Sequence, residues 1–378
     1  MNCKKYRFDE VTVNFDRKRI PLSSKQRAER QGCYRYYGAQ GVIDYIDDYI
    51  FDGTYLLIAE DGENLKSQKQ NIAQIVKGKF WVNNHAHIIQ TNELCDLRYL
   101  YYLINRMDLS GYITGSAQPK LSQANLNAVV LELPSIEEQK RVVSILGVLD
   151  DKIELNNKIN DNLEQQAETL FQNLFIDNAR SEWKKGTVCD LGTVVGGSTP
   201  SKSKPEYYTD SGIAWITPKD LSVNKSKFIY HGENDITELG LKNSSASIMP
   251  EGTVLFSSRA PIGYIAIAAG EVTTNQGFKS IVPKPEIGTA FVYYFLKYNL
   301  PVIEGMASGS TFKEVSGATM KKVPAFIPDA ETLNKFRRFC EPLFAQQKVL
   351  EKQNKSLAEL RDSLLPKLMA GEITTMEI

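Results

Sequence analysis

The chain has 378 residues, which is too long for one ordinary domain and suits two or three. Its 45 basic residues balance 45 acidic ones, so the composition argues against a protein that coats DNA by charge alone. The five cysteines are scattered without a CxxC pair, and no apolar run approaches the roughly 20 residues that a membrane span needs. We therefore expect a cytoplasmic protein with no signal peptide and no membrane segment.

Residues 1–134 are predicted to form the first globular domain, of mixed α/β type, with a strand near Thr54–Ala59 and a helix near Leu97–Arg106. Residues 1–35 hold ten basic and four acidic groups, whereas residues 36–64 hold seven acidic groups and no basic one. A solvated charged face explains either run, but basic side chains also suit DNA. The candidate DNA-binding residues, in loops around Lys18–Arg30 and Tyr34–Gly38, are Lys18, Arg19, Lys25, Arg27, Arg30, Tyr36 and Tyr37.

Residues 135–178 are predicted to form a central helix, because Ile136–Phe175 contains no proline and only one glycine. A strict 4-3-4-3 spacing marks one face of this segment, which is the pattern of a coiled-coil seam. A helix packed on its own domain would give a similar stripe. The seam positions are Val142, Leu146, Leu149, Ile153, Asn156, Asn160, Leu163, Ala167, Leu170 and Leu174.

Residues 179–328 are predicted to form a second mixed α/β domain, with a strand near Thr253–Ser257 and a helix near Ala290–Tyr298. Its Gly196–Ser203 stretch resembles a phosphate loop only superficially, since no glycine precedes the lysine. Lysines suit phosphates, and Arg, Asn and Gln can pair with base edges. The candidate DNA-binding residues are Ser198, Thr199, Lys202, Lys204, Tyr207, Lys219, Lys225, Lys227, Arg259, Asn275 and Gln276.

Residues 329–378 are predicted to form a C-terminal helix that pairs with the central one. Adding 194 to each seam position gives a second seam, and Pro342 predicts a kink or a fresh start within it. If the helices pair with a domain at each end, the pairing is antiparallel. The second seam is Phe336, Cys340, Leu343, Gln347, Leu350, Asn354, Leu357, Arg361, Leu364 and Leu368.

The same offset of 194 residues links Gly115–Pro134 to Gly309–Pro328 without a gap. Identical residues recur within these segments, and the repeat continues into both seams, which disfavours coincidence. We therefore expect the two globular domains to superpose and to be related by a pseudo-two-fold axis. The identical pairs are Gly115/Gly309, Ser116/Ser310, Ser122/Ser316, Ala124/Ala318 and Pro134/Pro328.

Catalytic and metal-binding motifs are not evident in the sequence. His85 and His87 would share a face of a strand, but no third ligand is apparent, and no nucleophile elbow or paired-carboxylate signature occurs. We predict no catalytic residue, no metal and no cofactor on this chain. A non-catalytic scaffold with two protein-binding modules on a rod remains an alternative, and a single-chain enzyme is disfavoured.

Several segments resemble the specificity subunits of Type I restriction-modification systems over nearly the full length. Pro134–Lys140 with Leu149–Ile153 is similar to the central region of that family, and Leu364–Ile373 is similar to its closing segment. Glu331-Thr332-Leu333, at the start of the second helix, departs from the family's Glu-Glu-Gln run. Segments similar to its recognition domains are Tyr36–Ala39 with Gly41 and Asp44, Trp215–Leu221 and Ser258–Gly263.

The resemblance implies an α+β fold: two similar mixed α/β target-recognition domains, separated by two long antiparallel coiled-coil helices. It implies that each domain reads one half of a bipartite site on double-stranded DNA, with the helices setting the spacing. The implied partners are two methyltransferase subunits and motor-nuclease restriction subunits. S-adenosylmethionine, ATP and Mg are expected on those partners.

The polar seam positions carry a prediction of their own. In an antiparallel pair with aligned centres, residues near 156–160 approach those near 347–354, so Gln347 would join Asn156, Asn160 and Asn354 in one polar layer. Buried asparagine lowers stability but penalises registers that place it against leucine. The layer would therefore fix the helix register, unless these asparagines face a partner or solvent.

Overall fold

A computed structural model of the protein describes residues 2–67, 70–115, 118–309 and 313–373. Ser116 and Ser310, one of the repeated pairs, lie outside the described residues. The chain divides into two compact units, and each takes a segment of both long helices: unit 1 is Met1–Lys152 with Leu357–Ile378, and unit 2 is Ile153–Ser356. The four sequence segments 1–134, 135–178, 179–328 and 329–378 stay a prediction of domain organisation.

Unit 1 is built on a six-stranded sheet in the order β2-β7-β5-β6-β3-β4, antiparallel except where β3 pairs with β6. Apolar side chains cover both faces, because strands such as Leu56–Ala59 are apolar at successive positions. Its strands are β1 Lys4–Arg7, β2 Thr12–Asn14, β3 Gln31–Gly38, β4 Gly41–Ile46, β5 Phe51–Ala59, β6 Ala73–Val82, β7 Ala86–Thr91 and β8 Val130–Leu133. Its short helices are α1 Phe8–Val11, α2 Ser24–Ala28, α3 Asn64–Ser67, α4 Leu97–Ile104 and α5 Gln123–Asn127.

A long helix, α6 Ile136–Gln172, follows β8 and ends in the π-helical turn Asn173–Asp177. It begins after Ser135, whose Oγ accepts a hydrogen bond from the backbone N–H of Glu138 at 3.3 Å. A side-chain oxygen at this position satisfies a donor that the first helical turn leaves unpaired.

Unit 2 is built on a five-stranded sheet in the order β10-β18-β15-β16-β13, with several two-stranded pairs beside it. Its strands are β9 Lys184–Thr187, β10 Gly192–Gly196, β11 Tyr208–Thr209, β12 Trp215–Ile216, β13 Phe228–Ile229, β14 Asp235–Ile236, β15 Val254–Ser258, β16 Ile262–Ala268, β17 Thr273–Thr274, β18 Lys279–Pro283 and β19 Pro324–Ile327. Its short helices are α7 Val188–Leu191, α8 Pro218–Val223, α9 Glu238–Lys242, α10 Thr289–Tyr298, α11 Leu300–Gly305 and α12 Gly317–Lys321.

The repeat found in the sequence is visible in the secondary structure of the two units. β1 pairs antiparallel with β8, and β9 pairs in the same way with β19. Ser122 and Ser316, an identical pair, cap α5 and α12. The predicted strands near Thr54–Ala59 and Thr253–Ser257 are confirmed as β5 and β15, and the predicted helices as α4 and α10. Superposition of the two domains stays a prediction.

The second long helix, α13 Ala330–Ala370, continues through Pro342, so of the kink or fresh start predicted there the fresh start is wrong and the kink stays a prediction. Proline removes one N–H donor from the helix interior and costs about 3 kcal/mol. Phe336 and Cys340 before it and Leu350 after it are buried, while Pro342 itself is exposed. Burial of the flanking side chains therefore stabilises helical backbone on both sides of the proline.

Within each unit the two long helices run antiparallel. In unit 1, Val142 and Leu146 of α6 share a core with Leu365 and Leu368 of α13. In unit 2, later residues of α6 meet earlier residues of α13, because Phe171 contacts Phe336 with ring centroids 5.8 Å apart. Among the described residues, no helix is both long and apolar enough to cross a membrane.

Candidate nucleic-acid interface

The candidate basic residues of unit 1 fall into two groups: some are exposed to solvent, and others form hydrogen bonds and ion pairs within the unit. Lys18 and Lys25 are exposed to solvent. Arg19 instead points inward, with its guanidinium 2.8 Å from the Glu60 carboxylate and 2.9 Å from the Ala86 carbonyl oxygen. Its side chain is only 15% exposed, so we leave Arg19 out of the proposed DNA-binding surface.

The basic and acidic runs of the first domain pair with one another. Arg27 Nε donates to Asp44 at 2.9 Å, and Arg30 Nε donates to Asp47 at 2.9 Å. A backbone N–H from Tyr45, followed by the bond from Arg27, lowers the pKa of Asp44. Arg27 and Arg30 therefore carry less unpaired positive charge than the sequence suggested.

The Tyr34–Gly38 segment is not a loop, as the sequence analysis expected, but part of strand β3. Tyr36 and Tyr37 are buried, and the Tyr36 hydroxyl accepts a hydrogen bond from the Leu22 N–H at 2.8 Å. Both side chains serve the core, because β-propensity and burial favour aromatic residues in a central strand. Neither reaches a surface that DNA could contact.

A basic and aromatic patch that the sequence analysis missed lies on β3 and β6. Lys77 and Lys79 are exposed, and Arg35 donates to the Lys77 carbonyl oxygen at 2.7 Å. The Lys79 ammonium lies 4.5 Å from the ring centroid of Tyr49, which stacks at a tilt on Tyr34. The sequence could have indicated this patch through Lys77-Gly78-Lys79, because alternate residues of a strand share a face and the two lysines are therefore on the same side.

In unit 2 the loops after β10 and β17 lie side by side. The Ser198 N–H donates to the Thr274 carbonyl oxygen at 2.9 Å, and the Thr199 hydroxyl is bonded to the Gln276 amide. A Cβ at Gly197 would lie 1.9 Å from the Asn275 carbonyl oxygen, so only glycine permits this approach. Polar side chains that the sequence separates by about 77 residues are thereby brought together.

Two further cations adjoin this polar cluster. Lys279 Nζ donates to the Gln276 carbonyl oxygen at 3.2 Å. Glu314 lies 3.8 Å from Lys279 and 3.6 Å from the Arg259 guanidinium. The sequence analysis named Arg259 and Gln276 but missed Lys279, which follows three residues after Gln276 at the start of β18.

The other candidates of unit 2 lie at different depths. Lys202, Lys204 and Lys225 are exposed, and Tyr207 is half-buried. Lys219 is also exposed, but its ammonium lies 2.5 Å from the Glu233 carboxylate.

Lys227 faces away from solvent altogether, with a side chain only 6% exposed. Its ammonium contacts the Glu164 carboxylate and donates to Gln347 Oε1 at 2.8 Å and to the Tyr294 hydroxyl at 3.1 Å. A lysine with these partners cannot reach a phosphate without breaking a buried ion pair. We therefore leave Lys227 out of the DNA-binding surface.

The two histidines of interest have separate partners. His85 lies just before β7 and its Nδ1 is 2.6 Å from Asp61, whereas His87 is buried in β7 with Nδ1 2.6 Å from Asp16. His87 Nε2 also meets the Leu121 carbonyl oxygen at 2.8 Å. Across the described ranges, no group of three or more His, Cys, Asp or Glu residues could hold a metal ion.

The seam residues of both long helices are buried or half-buried. Within unit 2, Asn156 Nδ2 donates to Asn354 Oδ1 at 2.8 Å, and Asn354 Nδ2 donates to Asn157 Oδ1 at 2.7 Å. Gln347 Nε2 donates to the Asn160 carbonyl oxygen at 3.1 Å. These contacts bring together the polar side chains for which the sequence analysis predicted a layer.

Comparison with known proteins places this pair of sheet-based units in a class of DNA-specificity proteins. The family model described as "Type I restriction modification DNA specificity domain" matches residues 2–165 and again residues 180–359. The chain therefore belongs to this family. Since the members it resembles are specificity subunits, it is a DNA-recognition subunit without catalytic activity of its own.

Two curated relatives and one solved structure illustrate the likeness. The MjaIX specificity subunit of Methanocaldococcus jannaschii is 40% identical over 194 residues, which cover 49% of this chain and only 45% of that relative. The HindI specificity subunit of Haemophilus influenzae is 24% identical over 416 residues, covering 88% of this chain and 87% of that relative. The crystal structure of an S subunit from M. genitalium matches with a TM-score of 0.57 at 17% identity, covering 97% and 96% of the two chains.

Proposed function

We propose that the chain reads a bipartite site on double-stranded DNA, with one half of the site read by each unit. The observation that carries this proposal is the double match of the specificity-domain family, once to residues 2–165 and once to residues 180–359. A subunit that contains two recognition domains has two independent readers, and a split site is the DNA counterpart of that duplication.

We further propose that the chain acts in the cytoplasm and positions two methyltransferase subunits and motor-nuclease restriction subunits on that site. S-adenosylmethionine, ATP and Mg would be held by those partners. The long helices would set the spacing between the half-sites.

In unit 2, the proposed DNA-binding surface combines the Ser198–Thr199 and Asn275–Gln276 loops with Arg259, Lys279 and the exposed Lys202 and Lys204. Amides and guanidinium groups can pair with base edges, and lysines contact phosphates. In unit 1 the surface combines Lys18 and Lys25 with the Arg35, Lys77 and Lys79 patch. Tyr34 and Tyr49 beside this patch provide flat faces next to the positive charge.

The test is to express the chain with its host methyltransferase and to map methylated adenines across a genome. A split motif is expected. Gln276→Ala should relax one base position in one half of that motif, at a cost of roughly 1–3 kcal/mol for that position. Lys79→Ala should weaken binding to all sequences alike and flatten its salt dependence.

Lys352→Ala, an exposed lysine on α13, is the matched control and should leave the motif and the salt dependence unchanged. Methylation at a continuous motif would contradict the bipartite reading. Sequence-blind binding by the complex would instead favour a protein-binding scaffold.

A further inference from the structure

One acidic side chain, that of Glu314, lies within the proposed DNA-binding surface of unit 2. Glu314 has one carboxylate oxygen 3.6 Å from Arg259 Nη1 and the other 3.8 Å from Lys279 Nζ. Glu314 is 38% exposed and Arg259 is 39% exposed, so both reach solvent, while Lys279 is 15% exposed. A single carboxylate therefore offsets two cations at the place where phosphates or bases would approach.

The backbone holds these three residues in place. The Val315 N–H donates to the Ser258 carbonyl oxygen at 2.9 Å, and the Ser258 N–H donates to the Gly277 carbonyl oxygen at 2.7 Å. These two bonds fasten the segments that carry Glu314, Arg259 and Lys279 to one another. The carboxylate also faces an open cleft of about 680 Å³, which Arg259 and Glu304 line as well.

A carboxylate in this position has a definite electrostatic consequence. The carboxylate repels phosphate oxygens and competes with them for Arg259 and Lys279. It therefore weakens binding to any DNA that does not place a hydrogen-bond donor against it. A carboxylate can only accept hydrogen bonds, and the donors in the major groove are the exocyclic amino groups of cytosine and adenine. DNA that places such an amino group against Glu314 leaves its charge paired.

We propose that Glu314 is a specificity-determining residue. Its carboxylate accepts a hydrogen bond from the exocyclic amino group of a cytosine or adenine in one half-site. On other sequences it stays paired with Arg259 and Lys279, which then bind phosphates less well. This inference rests on the proposed function. It assigns the residue a cost on the wrong DNA as well as a contact on the right one, and specificity depends on the difference between the two.

The test is Glu314→Gln in the full chain with its co-expressed methyltransferase. The amide keeps the shape of the side chain but frees both cations. Binding to a random-sequence duplex should strengthen about fivefold at 0.15 M salt, with the slope of log K against log salt steeper by about 1, which is the effect of one added phosphate contact. Binding to the cognate site should gain less, so the ratio of cognate to random affinity should fall, and one base position of the methylated motif should become degenerate.

Glu304→Gln is the matched control, because Glu304 lines the same cleft and is exposed. Within the described part of the chain, no cation lies within ion-pair distance of it, so the same loss of charge should change the affinity ratio less. A variant that misfolds would lose methylation of the cognate motif altogether, so retained methylation at that motif shows that Glu314→Gln is folded. An unchanged ratio, or an equal effect of Glu304→Gln, would overturn the role of Glu314. If the wild-type complex itself shows no sequence preference, the proposed function fails instead.

Discussion

In each unit a tyrosine on a short helix ties the globular part to the long helices, but the two ties differ in chemistry. In unit 1, the Tyr102 hydroxyl of α4 donates to Asp150 of α6 at 2.5 Å, and Arg361 of α13 lies 2.8 Å from the same carboxylate. In unit 2, the Tyr294 hydroxyl of α10 donates to Glu164 of α6 at 2.9 Å, and Lys227 occupies the role of the cation. The Tyr101-Tyr102 and Tyr293-Tyr294 pairs lie 192 residues apart in the sequence, close to the repeat offset of 194.

We call each set of contacts a joint: Tyr102, Asp150 and Arg361 in unit 1, and Tyr294, Glu164 and Lys227 in unit 2. The joint of unit 2 is the more deeply buried of the two. The Lys227 side chain is 6% exposed, against 26% for Arg361. Glu351 of α13 accepts the backbone N–H of Lys227 at 2.8 Å and that of Phe228 at 3.1 Å, which ties the end strand β13 to the helix. Burial lowers the pKa of Lys227, and Glu164 opposes that shift. A repeat can therefore keep its topology while one copy fastens it with a half-buried ion pair and the other with a buried one.

The largest effect is expected from Lys227→Met, which breaks the unit 2 joint. It leaves the Glu164 carboxylate without its buried partner and Gln347 without a donor, and removal of one member of a buried ion pair costs about 3–5 kcal/mol. Lys297, 2.8 Å from Glu164, recovers part of that loss. Calorimetric unfolding of the full chain measures the change.

Lys225→Met is the control for this variant, because Lys225 is exposed and its ammonium lies 4.8 Å from the centroid of the Tyr264 ring. Its effect should stay within about 0.5 kcal/mol. The double variant Lys227→Met with Glu164→Gln should cost less than the two single changes together, since the partners are coupled. Equal effects of Lys227→Met and Lys225→Met would show that the buried joint contributes nothing.

The corresponding change in unit 1 should cost less. Tyr102→Phe removes one hydrogen bond to a charged group, worth about 1.5–3 kcal/mol, and Asp150 keeps Arg361 as a partner. Chemical unfolding measures this loss. Tyr101→Phe is the neighbouring control, because that hydroxyl only accepts a bond from Asn71 near the surface. A loss from Tyr102→Phe that matches Lys227→Met would remove the difference between the joints.

The sequence predicted the repeat and the helices well because both depend on local spacing. Ser122 and Ser316 are identical across the offset of 194 residues, and both cap helices in the structure. Burial depends on partners that are distant in the chain, so the sequence misplaced several candidates. Lys227 was grouped with surface lysines, yet its partner Glu164 lies on the long helix α6. Arg19 meets Glu60, which follows the end of β5 and lies 41 residues later in the chain. Tyr36 and Tyr37 were assigned to a loop together with the basic run that precedes them, although their burial shows a core strand.

The two long helices also differ in the residue that caps their first turn. Asp329 precedes α13 at the position that Ser135 takes before α6, and it accepts the Thr332 N–H at 2.8 Å and Trp183 Nε1 at 3.0 Å. Asp329→Ala should cost about 1–2 kcal/mol and Ser135→Ala about 0.5–1 kcal/mol, because the aspartate satisfies more donors and its charge favours a helix N-terminus.

The dependence on pH separates the two caps. The Thr332 N–H, with help from Trp183, lowers the pKa of Asp329 to about 2. A lowered carboxyl pKa contributes stability above the unfolded value near 3.8, and that stability is lost as pH falls through about 2. The difference in free energy of unfolding between wild type and Asp329→Ala should therefore shrink between pH 4 and pH 2. The serine cap has no such titration, and parallel pH profiles for both variants would contradict this origin.

A gain in stability, in contrast to the losses above, is expected from changes in the polar layer, which lies in unit 2, whereas the seam of unit 1 is apolar apart from Arg361. The side-chain oxygens of Asn156 and Asn160 are buried and have no hydrogen-bond partner among the described residues. Asn160→Leu keeps the backbone carbonyl that Gln347 uses. It should raise the free energy of unfolding by about 1 kcal/mol, because an unsatisfied buried amide is replaced by an apolar side chain.

A triple variant tests whether the polar layer also fixes the spacing between half-sites. With Asn156, Asn160 and Asn354 replaced together by Leu and Ile, the polar side chains left in the two seams are Gln347 and Arg361, so a shifted register is penalised less. A slip of one heptad displaces a helix by roughly 10 Å, or about three base pairs of B-DNA. Methylated motifs with mixed spacer lengths are therefore expected beside the raised stability, whereas Leu163→Ile, at an apolar seam position, should change neither. A single unchanged spacer in the triple variant, with one distance between labels on the two helices of unit 2, would show that register does not depend on the asparagines.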